Sequence, residues 1–288
     1  MKVLVTGANG QLGRALCALV PAGVELVALS SGQLDVTDLD SVSSRVATTA
    51  PDVIINAAAY TAVDKAEQAR EQAFAVNQRG AAHLAQAATH CGARLLHVST
   101  DYVFDGTASR PYTPLHACHP LGVYGSSKRA GEEAVLAYAN NAAIFRTSWL
   151  YAAEGHNFVN TMLRLMGERE QLGIVADQVG SPTWADTLAG ALWAAAAQRD
   201  LTGVLHWTDL GVASWYDFAV AIQEEALALG LLDREIELRP LRTEEYPTPA
   251  RRPAYSVLDT STAREALGLT GMHWRKALRL MLKGKRNA

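Results

Sequence analysis

Cysteine is scarce in this chain. Cys17, Cys91 and Cys118 are three in 288 residues, an odd number, widely spaced and without a Cys-x-x-Cys pair. Neither a disulfide framework nor a zinc site is indicated. Long apolar runs are missing as well: none approaches the roughly 20 residues that a membrane span requires. Neither sign of charge dominates, since 26 Lys and Arg face 29 Asp and Glu for a net charge of −3. That balance gives no general attraction to nucleic acid or to an anionic membrane, so any anionic ligand must be met by local groups. Internal repeats and low-complexity linkers are absent. Met1 leads straight into the strand-like KVLVTG, which leaves no room for a signal peptide and makes a cytoplasmic protein the expectation. What is there, 49% hydrophobic and 19% charged residues, suits one large or two modest globular domains with ample core.

The N-terminus carries the first chemistry-bearing pattern. Lys2 to Thr6 is a β-branched run, Gly7-Ala8-Asn9-Gly10-Gln11-Leu12-Gly13 follows at once, and Arg14, Ala15, Leu16 and Leu19 begin a helical pattern. Strand, glycine turn and helix form the context of a dinucleotide site. Gly7 permits the tight turn, Gly10 lets the backbone approach a pyrophosphate, and Gly13 lets helix and strand pack closely. The N–H groups at the helix start meet the anion. The spacing is G-x-x-G-x-x-G, not G-x-G-x-x-G. The next strand, Glu25 to Leu29, ends in Ser30-Ser31-Gly32 without the carboxylate that rejects a 2′-phosphate, and Arg14 is near. Asp35 and Val36 lie where adenine contacts are made, although Asp35 and Thr37 read equally as the turn and N-cap of a helix over 41–48. A third strand, Asp52 to Asn56, enters Ala57-Ala58-Ala59-Tyr60-Thr61; the small residues leave backbone free for a cofactor or for tight packing. Helices are expected over 66–77 and 80–91.

A second constellation runs from Leu95 to Glu132. The apolar LLHV is expected to be a buried strand that delivers Ser99 and Thr100 to its C-terminal tip. The later YGSSKRAGE opens a helix to about Asn140 with Tyr124 and Lys128 one turn apart on the same face. An ammonium there is expected to favour the phenolate, letting Tyr124 give and retake a proton, with the Thr100 hydroxyl holding the substrate oxygen. The same spacing also occurs in ordinary surface pairs. His116, Cys118 and His119 in the intervening loop have no paired ligands elsewhere, and no metal site is assigned. After a strand over 143–147 come Ser148 and Trp149. Strands and helices alternating in this way predict an α/β fold, a doubly wound parallel (Rossmann) sheet with ligands at the carboxyl ends of its strands. Residues 1–150 are read as the dinucleotide-binding domain and 151–288 as a smaller substrate-binding lobe, with part of 184–213 returning to the first. The tail from Lys283 to Arg286 reads as a solvated end.

Taken together, these motifs resemble the extended short-chain dehydrogenases/reductases and, within them, the dTDP-4-dehydrorhamnose reductase family. GANGQLGRAL, LDVTD, NAAAYTAVDKAE, VSTDYVFDG, YGSSKRAGE, RTSWLY, DQVGSPT and TPARRPAYSVLD carry the resemblance over nearly the full length. It implies reduction of the 4-keto group of a dTDP-deoxysugar by NADPH, with NADH as an alternative donor. It further implies that Tyr124 donates the proton, that Lys128 binds the nicotinamide ribose and tunes Tyr124, and that Thr100 and Asp101 contact the keto-sugar against Trp149. Gly10, Gln11, Leu12, Asp35, Val36, Ala59, Tyr60 and Thr61 would line the cofactor, joining Gly7, Asn9, Gly13, Ser30, Ala57 and Ala58 of the turn and strand tips. Arg251 and Arg252 are the candidates for the substrate diphosphate. Family members differ in whether they dimerise through a magnesium-linked contact, so monomer and homodimer both stay open and magnesium is not required by the sequence. Two other readings remain: a non-catalytic cofactor-binding regulatory subunit like that of methionine adenosyltransferase, and a nucleotide-sugar epimerase or dehydratase.

Overall fold

The computed structural model describes residues 1–286. From the N-terminus the elements are β1 (Lys2–Thr6), α1 (Gln11–Ala18), β2 (Glu25–Leu29), α2 (Leu39–Thr49), β3 (Val53–Asn56), α3 (Val63–Ala66) and α4 (Arg70–Phe74). A π-helical turn, Ala75–Arg79, then leads into α5 (Gly80–Cys91), β4 (Arg94–Thr100), α6 (Val123–Tyr138), β5 (Ala143–Thr147) and β6 (Leu150–Tyr151). The remainder comprises α7 (Phe158–Glu168), β7 (Gln171–Val175), β8 (Val179–Gly180), β9 (Thr183–Trp184), α8 (Ala185–Ala197) and β10 (Gly203–His206). Last come β11 (Ala213–Ser214), α9 (Trp215–Ala228), β12 (Glu237–Leu241), α10 (Ser261–Leu267) and α11 (Trp274–Arg286).

Six strands form one sheet in the order β10-β5-β4-β3-β1-β2, and every pairing in it is parallel. Helices cover both faces, which is why the strands read as nearly continuous apolar runs. The two-residue alternation of a strand divides them between two cores. Val3, Val5, Ile55 and Phe145 pack with Leu12 and Leu16 of α1 and Leu188 and Leu192 of α8. Leu4, Ile54, Leu95 and Ile144 pack on the other face with Val42 and Val46 of α2, Leu84 of α5 and Val135 of α6. A third core gathers Val159, Met162, Phe218, Ile222 and Leu278 from α7, α9 and α11 beside the sheet. The chain passes to opposite sides after β1, since β2 and β3 flank it, and this reversal opens a crevice at the strand ends.

The structure departs from the sequence reading in several places. The helix expected over 66–77 is broken: α3 ends at Ala66, α4 starts at Arg70, and the π turn follows. The π turn delivers the buried Asn77, whose amide grips both N–H and C=O of Tyr60 and the Ser127 hydroxyl. Asp38, not Asp35 or Thr37, caps α2; Asp35 instead accepts from the Thr37 N–H and hydroxyl. The helix α10 was not foreseen. Lys283 to Arg286 continue α11; Lys283 and Gly284 are exposed, as a solvated end requires, but Lys285 is half-buried and its Nζ donates to the Ala153 carbonyl at 2.8 Å.

The helix α6 is locked to the sheet by a buried ion pair. Arg146 on β5 meets Glu132 on α6 through two hydrogen bonds, 2.8 and 2.7 Å, with side chains 2% and 0% exposed. Burial would raise the Glu132 pKa, but Arg146, Ser99 and Arg129 hold it below the usual carboxylate range. Arg146→Leu leaves that carboxylate buried and without its main partner. The expected loss is about 3–5 kcal/mol of stability, read as a lower urea midpoint; an unchanged midpoint would show that the pair holds nothing.

Candidate active site

A cleft of about 930 Å³ opens along the carboxyl ends of β1, β3, β4 and β5. One wall is the glycine turn. Gly7 adopts φ +69°, and a Cβ there would lie 2.7 Å from the Ala57 carbonyl oxygen. A Cβ on Gly13 would approach the Gly7 oxygen to 2.2 Å. Both positions thus serve close packing, while Gly10, Gln11 and Leu12 face the cleft. The first turn of α1 has no side-chain cap and no acidic residue, which leaves its N–H end open to an anion. Asn56 ties the strand tips together: its Oδ1 accepts from the Thr6 hydroxyl at 2.7 Å, and its amide nitrogen meets His97 at 3.0 Å.

The opposite wall carries Thr100, Asp101, Tyr124, Lys128, Trp149 and Trp215. Lys128 is 2% exposed and donates to the Val98 carbonyl at 2.6 Å. Burial lowers its pKa to about 8, opposed by the negative charge of Glu132. Tyr124 is pushed up to about 12 by burial, against the Thr100 hydroxyl, which favours the phenolate. Contrary to the expectation, Lys128 is not among the groups that shift the phenol in the cofactor-free protein; burial dominates there, and the Asp101 charge adds to it. The Thr100 hydroxyl donates to Asp101 Oδ1 at 3.0 Å and accepts from the Tyr102 N–H at 3.2 Å. Asp101 is raised to about 6 by its burial.

Trp149 occupies the left-handed region with φ 49°, a conformation non-glycine residues rarely adopt. It is held there by a parallel stack on Trp215, centroids 3.5 Å apart, and by Gly180, where a Cβ would lie 2.6 Å from the indole. Both indoles of this flat apolar stack line the cleft.

Of the residues singled out from the sequence, Gly10, Gln11, Leu12, Ala57, Ala59, Thr61, Thr100, Asp101, Tyr124, Lys128, Trp149 and Arg252 line the cleft. Gly7, Gly13, Ala58 and Tyr60 stand behind its walls, Asn9 is exposed beside it, and Ser30, Asp35 and Val36 lie beyond it past the end of β2. Arg251 is exposed and outside. Arg252 is inside but engaged: it pairs with Asp64 at 2.8 Å, so it is not a free cation waiting for a diphosphate. Sequence reasoning missed Asp64, Tyr102, His156 and Trp215, all of which line the cleft. Among the described residues, no group of three or more His, Cys, Asp or Glu side chains is arranged to hold a metal ion, and no helix is long and apolar enough to cross a membrane.

A Rossmann sheet with a glycine turn at β1 and a Tyr-x-x-x-Lys helix beside a Thr-tipped strand defines a reductase of the extended short-chain dehydrogenase/reductase class. Residues 1–287 match the family model described as RmlD substrate binding domain, and the chain belongs to that family. A dTDP-4-dehydrorhamnose reductase from Aggregatibacter actinomycetemcomitans is 44% identical, with 96% of this chain and 97% of that protein covered. The crystal structure of a dTDP-4-dehydrorhamnose reductase from Bacillus anthracis in complex with NADP superposes with a TM-score of 0.93 at 37% identity, covering 98% of this chain and 99% of that one. A UDP-glucose 4-epimerase from Thermus thermophilus with NAD shares the fold, with a TM-score of 0.84 over the full length of both chains, at 20% identity.

The buried ammonium makes a stability prediction. Its pKa falls from 10.5 to about 8 on folding, so the charged form costs the folded state roughly 3 kcal/mol at neutral pH. That cost is fully present below about pH 8 and disappears above the unfolded value. Lys128→Met is expected to raise the urea midpoint of the cofactor-free protein at pH 7, with the gain shrinking as pH rises toward 10. A variant less stable than the parent at pH 7 contradicts this.

Proposed function

We propose that this protein reduces the 4-keto group of dTDP-4-dehydro-6-deoxy-L-mannose with NADPH to give dTDP-L-rhamnose, for cell-surface polysaccharide synthesis in the cytoplasm. The observation that carries the reading is the convergence of Thr100, Tyr124 and Lys128 on one cleft with an open helix end, in a chain of this family. The NADP-bound relative supports the choice of cofactor. Residues 1–150, with part of 184–213 returning to them, form the cofactor-binding domain, and the rest of the chain is the substrate-binding lobe. The enzyme works as a monomer or homodimer. The proposed acid is a phenol, so this step calls on no magnesium, and a magnesium-linked dimer contact stays open.

The cofactor fits the residues present. Gly10, Gln11 and Leu12 would hold the pyrophosphate, Ala57, Ala59 and Thr61 would line the cofactor, and Lys128 would bind the nicotinamide ribose. When bound, the nicotinamide supplies the hydride. Negative charge then builds on the keto oxygen, and Tyr124 gives its proton there. A phenol pushed up to about 12 stays protonated until that moment, and an alkoxide is the stronger base, so the transfer runs downhill. Thr100 offers the second hydroxyl, and the Trp149–Trp215 platform packs against the apolar face of the deoxysugar.

Tyr124→Phe removes the proton and keeps the ring. Single-turnover reduction with saturating NADPH is expected to slow by roughly 10² to 10⁴ while NADPH still binds; Thr100→Val is expected to cost less. A near-normal rate for Tyr124→Phe would show that another group is the acid.

The tip of β2 generates a separate expectation. Ser30 stands there with Ser31, no carboxylate is adjacent, and its hydroxyl meets Gln33. NADPH should bind the cofactor-free protein at least as tightly as NADH. Titration of both measures this, and a tenfold preference for NADH, about 1.4 kcal/mol, would refute it.

A further inference from the structure

Helix α6 bears Tyr124 in its first turn, yet it has no cap of its own. Its N-cap is Gly122, extended at φ −141° and ψ 178°, without a side chain to accept from the first-turn amides, and no acidic residue lies in that turn. The missing acceptor comes from the α3–α4 connection: Glu67 Oε1 accepts from the Val123 N–H at 2.8 Å. A Cβ built on Gly122 would lie 2.6 Å from that same oxygen, and the other atom within 4 Å is Glu67 Cδ. The glycine and the glutamate are therefore complementary halves of one cap. A side chain at 122 would push the end of the Glu67 side chain aside, and without Glu67 the glycine leaves the amide open. The segment that carries Glu67 is itself anchored, because Asp64 accepts from the Ala250 N–H at 3.1 Å and pairs with Arg252.

We propose that Glu67 is a positioning residue that caps α6 from outside and so holds Tyr124 where it meets the keto oxygen. The inference rests on the reading of Tyr124 as the acid. Val123 is the residue before Tyr124, so a frayed first turn displaces the phenol directly. Displacement of a reacting group by about 1 Å costs up to roughly a hundredfold in rate. The cap touches neither the glycine turn nor the Trp149 platform, so its loss acts on kcat and spares the affinity for NADPH and the KM for the keto-sugar.

The cap predicts a reciprocal rescue that a general loss of stability would not produce. Glu67→Ala is expected to lower kcat by roughly tenfold or more, with KM and NADPH affinity changed by less than about twofold. Glu67→Gln keeps an acceptor oxygen at the same reach and should retain most of the rate. Gly122→Ser alone should be tolerated, because the end of the Glu67 side chain can swing aside while the serine caps the first turn, and Glu67→Ala combined with Gly122→Ser should recover most of kcat through that serine cap. Hydrogen–deuterium exchange of the peptide around 122–128 should quicken in Glu67→Ala and slow again in the double variant. A wild-type kcat for Glu67→Ala, or a double variant no better than Glu67→Ala, overturns the inference. If Glu67→Ala does not fold, an active double variant supports the cap and an inactive one overturns it. Tyr124→Phe measured alongside keeps the two ideas apart. A normal rate in Tyr124→Phe sinks the assignment of the acid, while a normal rate in Glu67→Ala beside an inactive Tyr124→Phe sinks the positioning role.

Discussion

A charge taken out of water must meet an opposite charge, and in this protein that requirement sets the register of the helix on which the site depends. Tyr124, Lys128 and Glu132 follow one another at four-residue intervals on α6, one stripe turned against the sheet. Glu132 is fully buried and finds its partner in Arg146, reaching out from the adjacent strand β5. Any slide or rotation of α6 would strand both charges in a medium where neither is tolerated. Lys128 sits one turn nearer the cleft, with the Val98 carbonyl as its hydrogen-bond partner and Glu132 as its counter-charge. Glu132 thus favours the charged ammonium as well as anchoring the helix, against the larger effect of burial. Gly131 completes the arrangement, for a Cβ there would come within 2.1 Å of the Asn77 carbonyl oxygen, so the π turn and α6 are in backbone contact.

The wall across from α6 is built on a different principle. Gly10 and the alanines at 57 and 59 contribute almost no side chain to the cleft, so Gln11 and Leu12 are the larger groups beside them. Polarity on that side comes from N–H groups and from Asn56 behind them. The ion pair of Asp64 with Arg252 in the cleft lining joins α3 to the loop after β12 and neutralises itself. A site for a doubly anionic substrate thus shows less free positive charge than the count of nearby basic residues suggests.

Much of this was legible in the sequence, and the reason is locality. Parallel strands covered on both faces must be apolar throughout, so Lys2–Thr6, Val53–Asn56 and Ala143–Thr147 announce themselves; Ala185–Ala197 does so by its alanines and leucines. Tyr124 and Lys128 were readable because a helix turns residues four apart onto one face. Glu132 continues that spacing, and its burial was within reach of the same argument. The contacts that were not legible join distant residues whose side chains give no local sign of a partner. Trp149 meets Trp215 across 66 positions, 215 − 149. Glu67 reaches Val123, and β7 pairs with β12. The break between α3 and α4 was hidden because Glu67, Gln68 and Ala69 are all good helix formers. Arg251 and Arg252 were adjacent in sequence and therefore weighed together, yet one faces solvent and the other an aspartate.

The sheet's last strand comes from far along the chain. β10 pairs with β5 through Gly203–His206, 56 residues after β5 ends at Thr147 (203 − 147). While the protein is being synthesised, β5 therefore emerges with its outer hydrogen-bonding edge bare, carrying Ala143, Ile144 and Phe145, and stays so until β10 leaves the ribosome. An apolar strand with an open edge is a template for pairing with any other chain. The intervening α7 and α8 must be made before that edge can close, so this stretch of translation is when the nascent protein is most exposed to misassembly and to chaperones that mask such edges.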